Sequence, residues 1–65
     1  MTSTTRTALR TATAARGTLD CYNAVIALDE ALQSDQDPVC AKASRELNAY
    51  ESPADAIRAA VAVLR

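Results

Sequence analysis

The alternation of apolar and polar positions is most regular in one segment, for which we predict a helix at Thr18–Gln33. Cys21, Val25, Leu28 and Leu32 recur there at i, i+4, i+7 and i+11, which is the period of one helical face. No proline or glycine interrupts the segment, and its alanines favour helix. This pattern indicates an amphipathic helix with one well-defined buried face.

Tyr22 and Ile26 form a second, shorter apolar stripe on the same helix, about 100° round from the first. The apolar surface is therefore wider than a single neighbour needs, which places this helix at the centre of the fold. We expect Leu9 and Ala12 of a first helix to cover Tyr22 and Ile26. If that first segment is disordered, Tyr22 and Ile26 become an exposed patch at which a partner would bind.

Two later helices have clear starts, because each combines a capping side chain with a proline at the first helical position. Asp37 precedes a predicted helix at Pro38–Tyr50, and Ser52 precedes another at Pro53–Leu64. Each helix has an apolar residue every three or four positions. The first stripe consists of Val39, Ala43, Leu47 and Tyr50, and the second of Ile57, Ala60, Val61 and Leu64.

Residues 1–17 allow two interpretations. Their many threonines lower helix propensity, but a thin apolar stripe that includes Leu9 and Ala12 follows helical spacing. One interpretation is a helix at about Thr4–Arg16, ended by Gly17 as the C′ glycine. The other is a flexible basic arm.

These elements predict an all-α fold, a small up-down helical bundle of three firm helices plus a less certain N-terminal helix. Residues 1–65 form a single helical domain, and short connections make neighbouring helices antiparallel. Only 14 residues are Leu, Val, Ile or Tyr, and the chain has no Phe or Trp. Because so small a core gives marginal stability, we expect help from a partner or from self-association.

The net charge of −1 provides no global attraction to nucleic acid or to acidic membranes. The charges are nevertheless segregated: residues 1–17 carry three arginines and no acid, whereas residues 18–38 carry five acids and no base. Six of the seven basic residues are Arg, and alanine is abundant. This bias favours a high-GC bacterium or its phage as the source. Since no run of 18 apolar residues occurs, we expect a cytoplasmic protein without membrane contact.

Cys21 and Cys40 are the candidates for thiol or metal chemistry. Two cysteines cannot complete a tetrahedral zinc site in a chain that lacks histidine. The antiparallel hairpin separates them by roughly 16 Å along the helix axis, beyond the reach of a disulfide. Although the first turn of a helix can lower a thiol pKa, we interpret both as small buried apolar residues.

The acidic pairs Asp29/Glu30 and Asp35/Asp37 could serve acid–base catalysis or bind a hard cation. Adjacent helical residues such as Asp29 and Glu30 point about 100° apart, so they do not converge. Asp37 is explained as a helix cap. We therefore predict no catalytic residue, no metal site and no cofactor, and we expect that the protein is not an enzyme.

The remaining hypothesis is a non-catalytic protein that binds another protein or itself, with a regulatory or accessory role. The alternative is a nucleic-acid-binding regulator that uses the basic N-terminal segment, in which Arg6 and Arg10 share one helical face. The predicted interaction residues are Arg6, Leu9, Arg10, Arg16, Tyr22 and Ile26.

Overall fold

The computed structural model describes residues 1–65 and contains four helices and no strand. The helices are α1 (Ser3–Ala14), α2 (Thr18–Ser34), α3 (Pro38–Leu47) and α4 (Pro53–Leu64). The predicted all-α fold is confirmed. The N-terminal segment is a helix, so of its two interpretations the structure favours the first.

The helix starts follow from side-chain caps. Asp37 Oδ1 accepts a hydrogen bond from the backbone N–H of Val39 at 3.1 Å, and Pro38 begins α3. Ser52 Oγ accepts from the N–H of Asp55 at 3.5 Å, and Pro53 begins α4. These are the two starts that the sequence predicts. Each cap satisfies a backbone donor that has no partner within its helix.

The connection between α1 and α2 differs from the prediction. Helix α1 ends at Ala14, so Arg16 lies outside it rather than at the predicted end of the helix. Gly17 does not end α1 as a C′ residue; it is the N-cap of α2, with φ of 84° and ψ of 159°, and Thr18 is the first helical residue. Glycine is suited to this backbone conformation because it has no Cβ.

Helix α3 ends at Leu47, three residues before the predicted end at Tyr50. At this end the Ser44 carbonyl accepts from both the backbone N–H of Asn48 at 3.1 Å and its side-chain Nδ2 at 2.8 Å. Tyr50 therefore lies in the α3–α4 loop rather than on the apolar face of α3. It is 48% exposed.

Helix α2 contacts each of the other three helices, as predicted for a central helix, and α4 does so as well; α1 contacts α2 and α4, and α3 contacts α2 and α4. Three leucines on two helices supply the largest side chains of the core, Leu28, Leu32 and Leu47. Small residues surround them and allow the helix backbones to approach closely. These small buried residues are Ala12, Ala24, Cys40, Ala43, Ala56 and Ala60.

A polar cluster, which we call the Asp35 junction, joins the start of α1 to the α2–α3 turn. One carboxylate oxygen of Asp35 accepts from the Thr2 N–H at 2.8 Å and from the Thr5 hydroxyl at 2.8 Å. The other oxygen accepts from the Asp37 N–H at 3.0 Å. The N-terminal ammonium group of Met1 lies 3.2 Å from Asp37 Oδ2. The N-terminus of α1 is thereby tied to the end of α2.

Thr5 is the only buried polar residue of the chain and is fully inaccessible to solvent. Because its hydroxyl donates to Asp35, the Thr2 hydroxyl, 3.1 Å away, is the donor to Thr5 Oγ1. The Thr5 N–H in turn donates to Thr2 Oγ1 at 3.2 Å. No buried side-chain nitrogen or oxygen in the structure lacks a partner, as a stable polar cluster requires.

Candidate interaction surfaces

Three large apolar side chains on one face of α2 are exposed to solvent. Leu19 is 72% exposed, Tyr22 56% and Ile26 46%. They lie at i, i+3 and i+7, within a sector about 60° wide. We call these three residues the α2 stripe. With Tyr50, they are all of the exposed large apolar side chains in the molecule.

The α2 stripe is exposed because the other helices pack on the opposite side of α2. At 100° per residue, its members lie about 120° to 180° from the buried Leu28. Helix α1 packs instead on the side of α2 that carries the buried Ala24 and Ala31: Thr5 Oγ1 lies 3.4 Å from the Ala31 carbonyl oxygen, and Thr11 lines a groove with Ala24. The prediction that Leu9 and Ala12 cover Tyr22 and Ile26 is therefore wrong. Helix α1 is ordered, yet Tyr22 and Ile26 remain exposed.

Asp29 forms the polar boundary of the α2 stripe on the side of α3. It accepts from Gln33 Nε2 at 2.9 Å, from Asn48 Nδ2 at 3.1 Å and from Ser44 Oγ at 3.3 Å. These bonds hold the end of α3 against α2 one helical turn from Ile26. They also occupy both carboxylate oxygens of Asp29 within the fold, so the carboxylate is already engaged as an acceptor.

A second surface is basic. Arg6, Leu9, Arg10, Thr13 and Arg65 line an open groove of about 320 Å³ beside α1 and the end of α4. We call it the basic groove. All three of its arginines are exposed. The two ion pairs of the structure join Met1 to Asp37 and Asp55 to Arg58, so the groove arginines form none.

The predicted interaction residues are not brought together at one site. Arg6, Leu9 and Arg10 belong to the basic groove, whereas Tyr22 and Ile26 belong to the α2 stripe on another side of α2. Arg16 is exposed, belongs to neither surface and directly precedes the N-cap of α2. Two separate surfaces thus replace one predicted patch.

Sequence reasoning missed several members of these surfaces. Leu19 precedes Tyr22 by three residues, so helical spacing alone could have identified it. The exposure of Tyr50, which belongs to neither surface, could not be predicted without knowing where α3 ends. Arg65 joins Arg6 and Arg10 only because α4 packs beside α1, and that contact has no local signal in the sequence.

Both cysteines are free thiols. Burial, followed by the nearby charges of Asp35 and Asp37, raises the pKa of the Cys40 thiol. These effects outweigh the first-turn position that could have lowered it. Cys21 is half-buried, and its thiol lies 3.9 Å from the Ala15 carbonyl oxygen. Cys40 thus behaves as a buried apolar residue.

The carboxylates of the chain are dispersed, and no group of three His, Cys, Asp or Glu residues is placed to hold a metal ion. Asp35 has an unusual environment: the N–H of Asp37, the N–H of Thr2 and the Thr5 hydroxyl hold the pKa of its carboxyl far below the ordinary value. All of these donors belong to the Asp35 junction. The low pKa therefore reflects a structural role. None of the four helices has the length and apolarity needed to cross a bilayer.

The geometry defines the chain as a small all-α protein of four helices with an apolar stripe on its central helix and a separate basic groove. Comparison with protein-family models, with characterised proteins and with solved structures finds no significant match. The α2 stripe and the basic groove are therefore the features of the molecule that suggest a function.

Proposed function

We propose that this protein is a non-catalytic interaction module, regulatory or accessory in role, that docks another polypeptide on the α2 stripe. The observation that carries this proposal is the grouping of exposed large apolar side chains. Three of the four lie on one face of a single helix. Contiguous apolar surface of this kind is typical of binding sites, whereas scattered apolar residues are ordinary on any protein.

The energetics support docking at this position. Full burial of each large apolar side chain stabilises by about 1.5–3 kcal/mol, and the α2 stripe leaves much of this unused in the free protein. Tyr22 is the natural anchor, because tyrosine combines a large apolar ring with a hydroxyl that can stay hydrated at the edge of an interface. Helix α2 is already held by three neighbours, so a partner need not order it.

The residue inventory supports a non-catalytic role. The chain has no histidine, and the carboxylates of Asp29 and Asp35 are occupied by hydrogen bonds within the fold. The buried thiol of Cys40 has a raised pKa, the opposite of what a nucleophile needs. The composition still favours the cytoplasm of a high-GC bacterium or phage-infected cell as the setting.

Affinity capture with matched variants tests this function. Tyr22→Asp and Ile26→Asp place a charge on the α2 stripe and should abolish retention of any specific partner. Ala62→Asp is the control, because it adds the same charge at an exposed position of α4. Loss of a partner in the two stripe variants but not in the control supports the proposal. A partner retained equally by all three variants contradicts it.

The second candidate is a nucleic-acid-binding regulator. The specific observation in its favour is the basic groove, where Arg6, Arg10 and Arg65 lie together without an acidic partner. Guanidinium groups placed in this way suit phosphates, and their contribution weakens with salt. Arg16 adds a fourth exposed charge nearby, although it is not part of the groove.

Electrophoretic mobility shift at two salt concentrations distinguishes the two candidates. Binding that is lost in Arg6→Ala/Arg10→Ala and that weakens steeply with salt supports the regulator. Arg45→Ala is the control, because Arg45 is exposed on α3, which does not contact α1. Equal binding by wild type and the double variant excludes the basic groove as the nucleic-acid site.

A further inference from the structure

We propose that the cleft between α1 and α4 binds a linear amphiphilic anion, which is an anionic head group that carries one apolar chain. The head group lies in the basic groove, and the chain lies in an apolar groove that continues from it. This inference goes beyond the proposed docking function and does not depend on it, because neither groove includes a residue of the α2 stripe.

The cleft between α1 and α4 contains an open, largely apolar space of about 280 Å³. Ile57 and Val61 of α4 form one side of it. Helix α1 contributes only Ala12 and Thr13, so no bulky side chain from α1 fills the space. We call this space the apolar groove. Its apolar lining consists of Ala12, Ala15, Cys21, Ala54, Ile57 and Val61.

The apolar groove continues into the basic groove, because Thr13 and Arg65 line both. Arg6 and Arg10 complete the basic end and lie one helical turn apart on α1, so both can reach the same anion. No aspartate or glutamate side chain lines either groove. The cleft therefore has exposed cationic groups at one end and an apolar lining along the rest of its length.

The order of polarity along the cleft selects the class of ligand. In the apolar groove Arg58 is paired with Asp55 at 3.4 Å, whereas the arginines of the basic groove have no such partner. A nucleic acid would use the arginines but not the apolar groove, and a neutral apolar molecule would use only the apolar groove. An amphiphilic anion uses both, since its head group accepts charge-assisted hydrogen bonds and its chain is removed from water.

The dimensions of the apolar groove match one extended chain. From Arg65 to Ala54, helix α4 covers about 16 Å. A volume of about 280 Å³ over that length gives a mean cross-section of about 17 Å², much narrower than a helix about 10–12 Å in diameter. An extended chain advances about 1.2 Å per bond, so a chain of about 12 carbons reaches from the basic groove to the far end. Ala54 and Cys21 lie together at that end.

Cys21 reports occupancy of the apolar groove, because its thiol is half-buried there whereas Cys40 is fully buried. Saturating dodecanoate should slow alkylation of Cys21 by iodoacetamide at least about fivefold, measured by mass spectrometry. Octanoate ends short of Cys21 and should slow the reaction less than about twofold. Acetate, which has no chain, and dodecyltrimethylammonium, whose head group is cationic, should also slow it less than about twofold.

Three results of the alkylation experiment overturn the proposal. If dodecanoate gives no protection of Cys21, the chain does not occupy the apolar groove. If dodecyltrimethylammonium protects equally, the basic groove does not select an anion. If Cys40 becomes alkylated as well, the amphiphile unfolds the protein instead of filling a site.

Isothermal titration calorimetry with matched variants locates the two parts of the ligand. Arg6→Ala/Arg10→Ala should weaken dodecanoate binding by about fivefold, as expected for two exposed ionic contacts, and Arg45→Ala should not. Ala54→Glu places a charge at the far end of the apolar groove, in the first turn of α4, where a carboxylate is tolerated. It should weaken dodecanoate binding about tenfold and octanoate binding less than about twofold. Ala62→Glu, at an exposed position outside both grooves, is the control, and equal losses in the two glutamate variants contradict the placement of the chain.

The outcomes separate this inference from the proposed function and from nucleic-acid binding. Tyr22 lines neither groove, so Tyr22→Asp should leave dodecanoate binding unchanged even where it abolishes capture of a polypeptide. If a duplex oligonucleotide binds through Arg6 and Arg10 while dodecanoate neither binds nor protects Cys21, the basic groove serves phosphates and the amphiphile is excluded.

Discussion

Helices α1 and α4 have the same length of 12 residues, and both pack against α2. Helix α4 buries Ala56, Ile57 and Ala60 on its inner face, an entirely apolar set. Helix α1 buries only Thr5 and Ala12. The apolar surface that holds α4 is thus largely missing from α1, and the Asp35 junction compensates at the N-terminal end of α1.

The difference shows how α1 leaves the α2 stripe open. A helix with a bulky apolar face would gain most by covering Tyr22 and Ile26, which are exposed. Thr5 instead ties α1 to Asp35 at the end of α2, and the buried Ala12 belongs to the same core cluster as Ala24. Specific hydrogen bonds fix position, whereas apolar burial is non-directional. The polar attachment of α1 therefore directs it away from the candidate docking surface.

The largest expected loss of stability comes from a substitution in the buried face of α4. Ile57→Ala should lower the free energy of unfolding by about 2–4 kcal/mol, because it removes a buried side chain, 7% exposed, and leaves a cavity. Urea unfolding followed by far-ultraviolet circular dichroism measures the change. Since α4 supports α2 and α3 as well, the whole transition should shift.

Ile26→Ala is the matched control for Ile57→Ala. It makes the same chemical change at a residue that is 46% exposed, so the expected loss is below about 1 kcal/mol. Equal losses in the two variants would contradict the view that α4 is held by burial and that Ile26 is free for a partner.

The next largest effect should be local to α1. Thr5→Val keeps the shape of the side chain but removes the hydroxyl that donates to Asp35 at 2.8 Å, which should cost about 1–2 kcal/mol. Hydrogen exchange should show lost protection in the amides of α1 while those of α4 change little. Thr7→Val, at an exposed position of the same helix, should leave both patterns unchanged. An equal loss in α1 and α4 would show that the junction does not act locally.

Much of this fold was predictable from local signals. The starts of α3 and α4 follow from Asp37-Pro38 and Ser52-Pro53, and both are confirmed. Helix α2 contacts the other three helices, as predicted, but so does α4, and the second apolar stripe from which the central position was inferred stays exposed. The predictions of the helices themselves succeeded because caps and helical periodicity depend on residues within a few positions of one another.

The candidate surfaces depended on contacts between distant residues, so they were harder to predict. Thr5 and Asp35 are 30 residues apart in sequence, and nothing in the Thr-rich segment indicates which threonine will be buried. Periodicity showed that Tyr22 and Ile26 lie on one face of α2, but not whether a neighbouring helix covers that face. The answer depended on the close approach that Ala24 and Ala31 allow and on the polar tie at Thr5.

The smallest expected effect is on the acid sensitivity of the unfolding free energy. It is also the sharpest test of whether α1 is attached by polar contacts and α4 by apolar ones. Hydrogen bonds from the Asp37 N–H, the Thr2 N–H and the Thr5 hydroxyl lower the pKa of Asp35 in the folded state. The stabilisation is therefore fully present above the ordinary carboxyl pKa of about 3.9 and is lost as the pH falls below it, toward the lowered value.

Asp35→Asn should remove this part of the acid dependence, seen as a smaller drop in the urea midpoint between about pH 5 and 3. Asp20→Asn, in the first turn of α2 and away from the junction, should keep the wild-type drop. If the drop persists in Asp35→Asn, α1 is held mainly by its few apolar contacts, in the same way that α4 is held by its more extensive ones. The hydrogen bonds of the Asp35 junction would then not explain why the α2 stripe is left open.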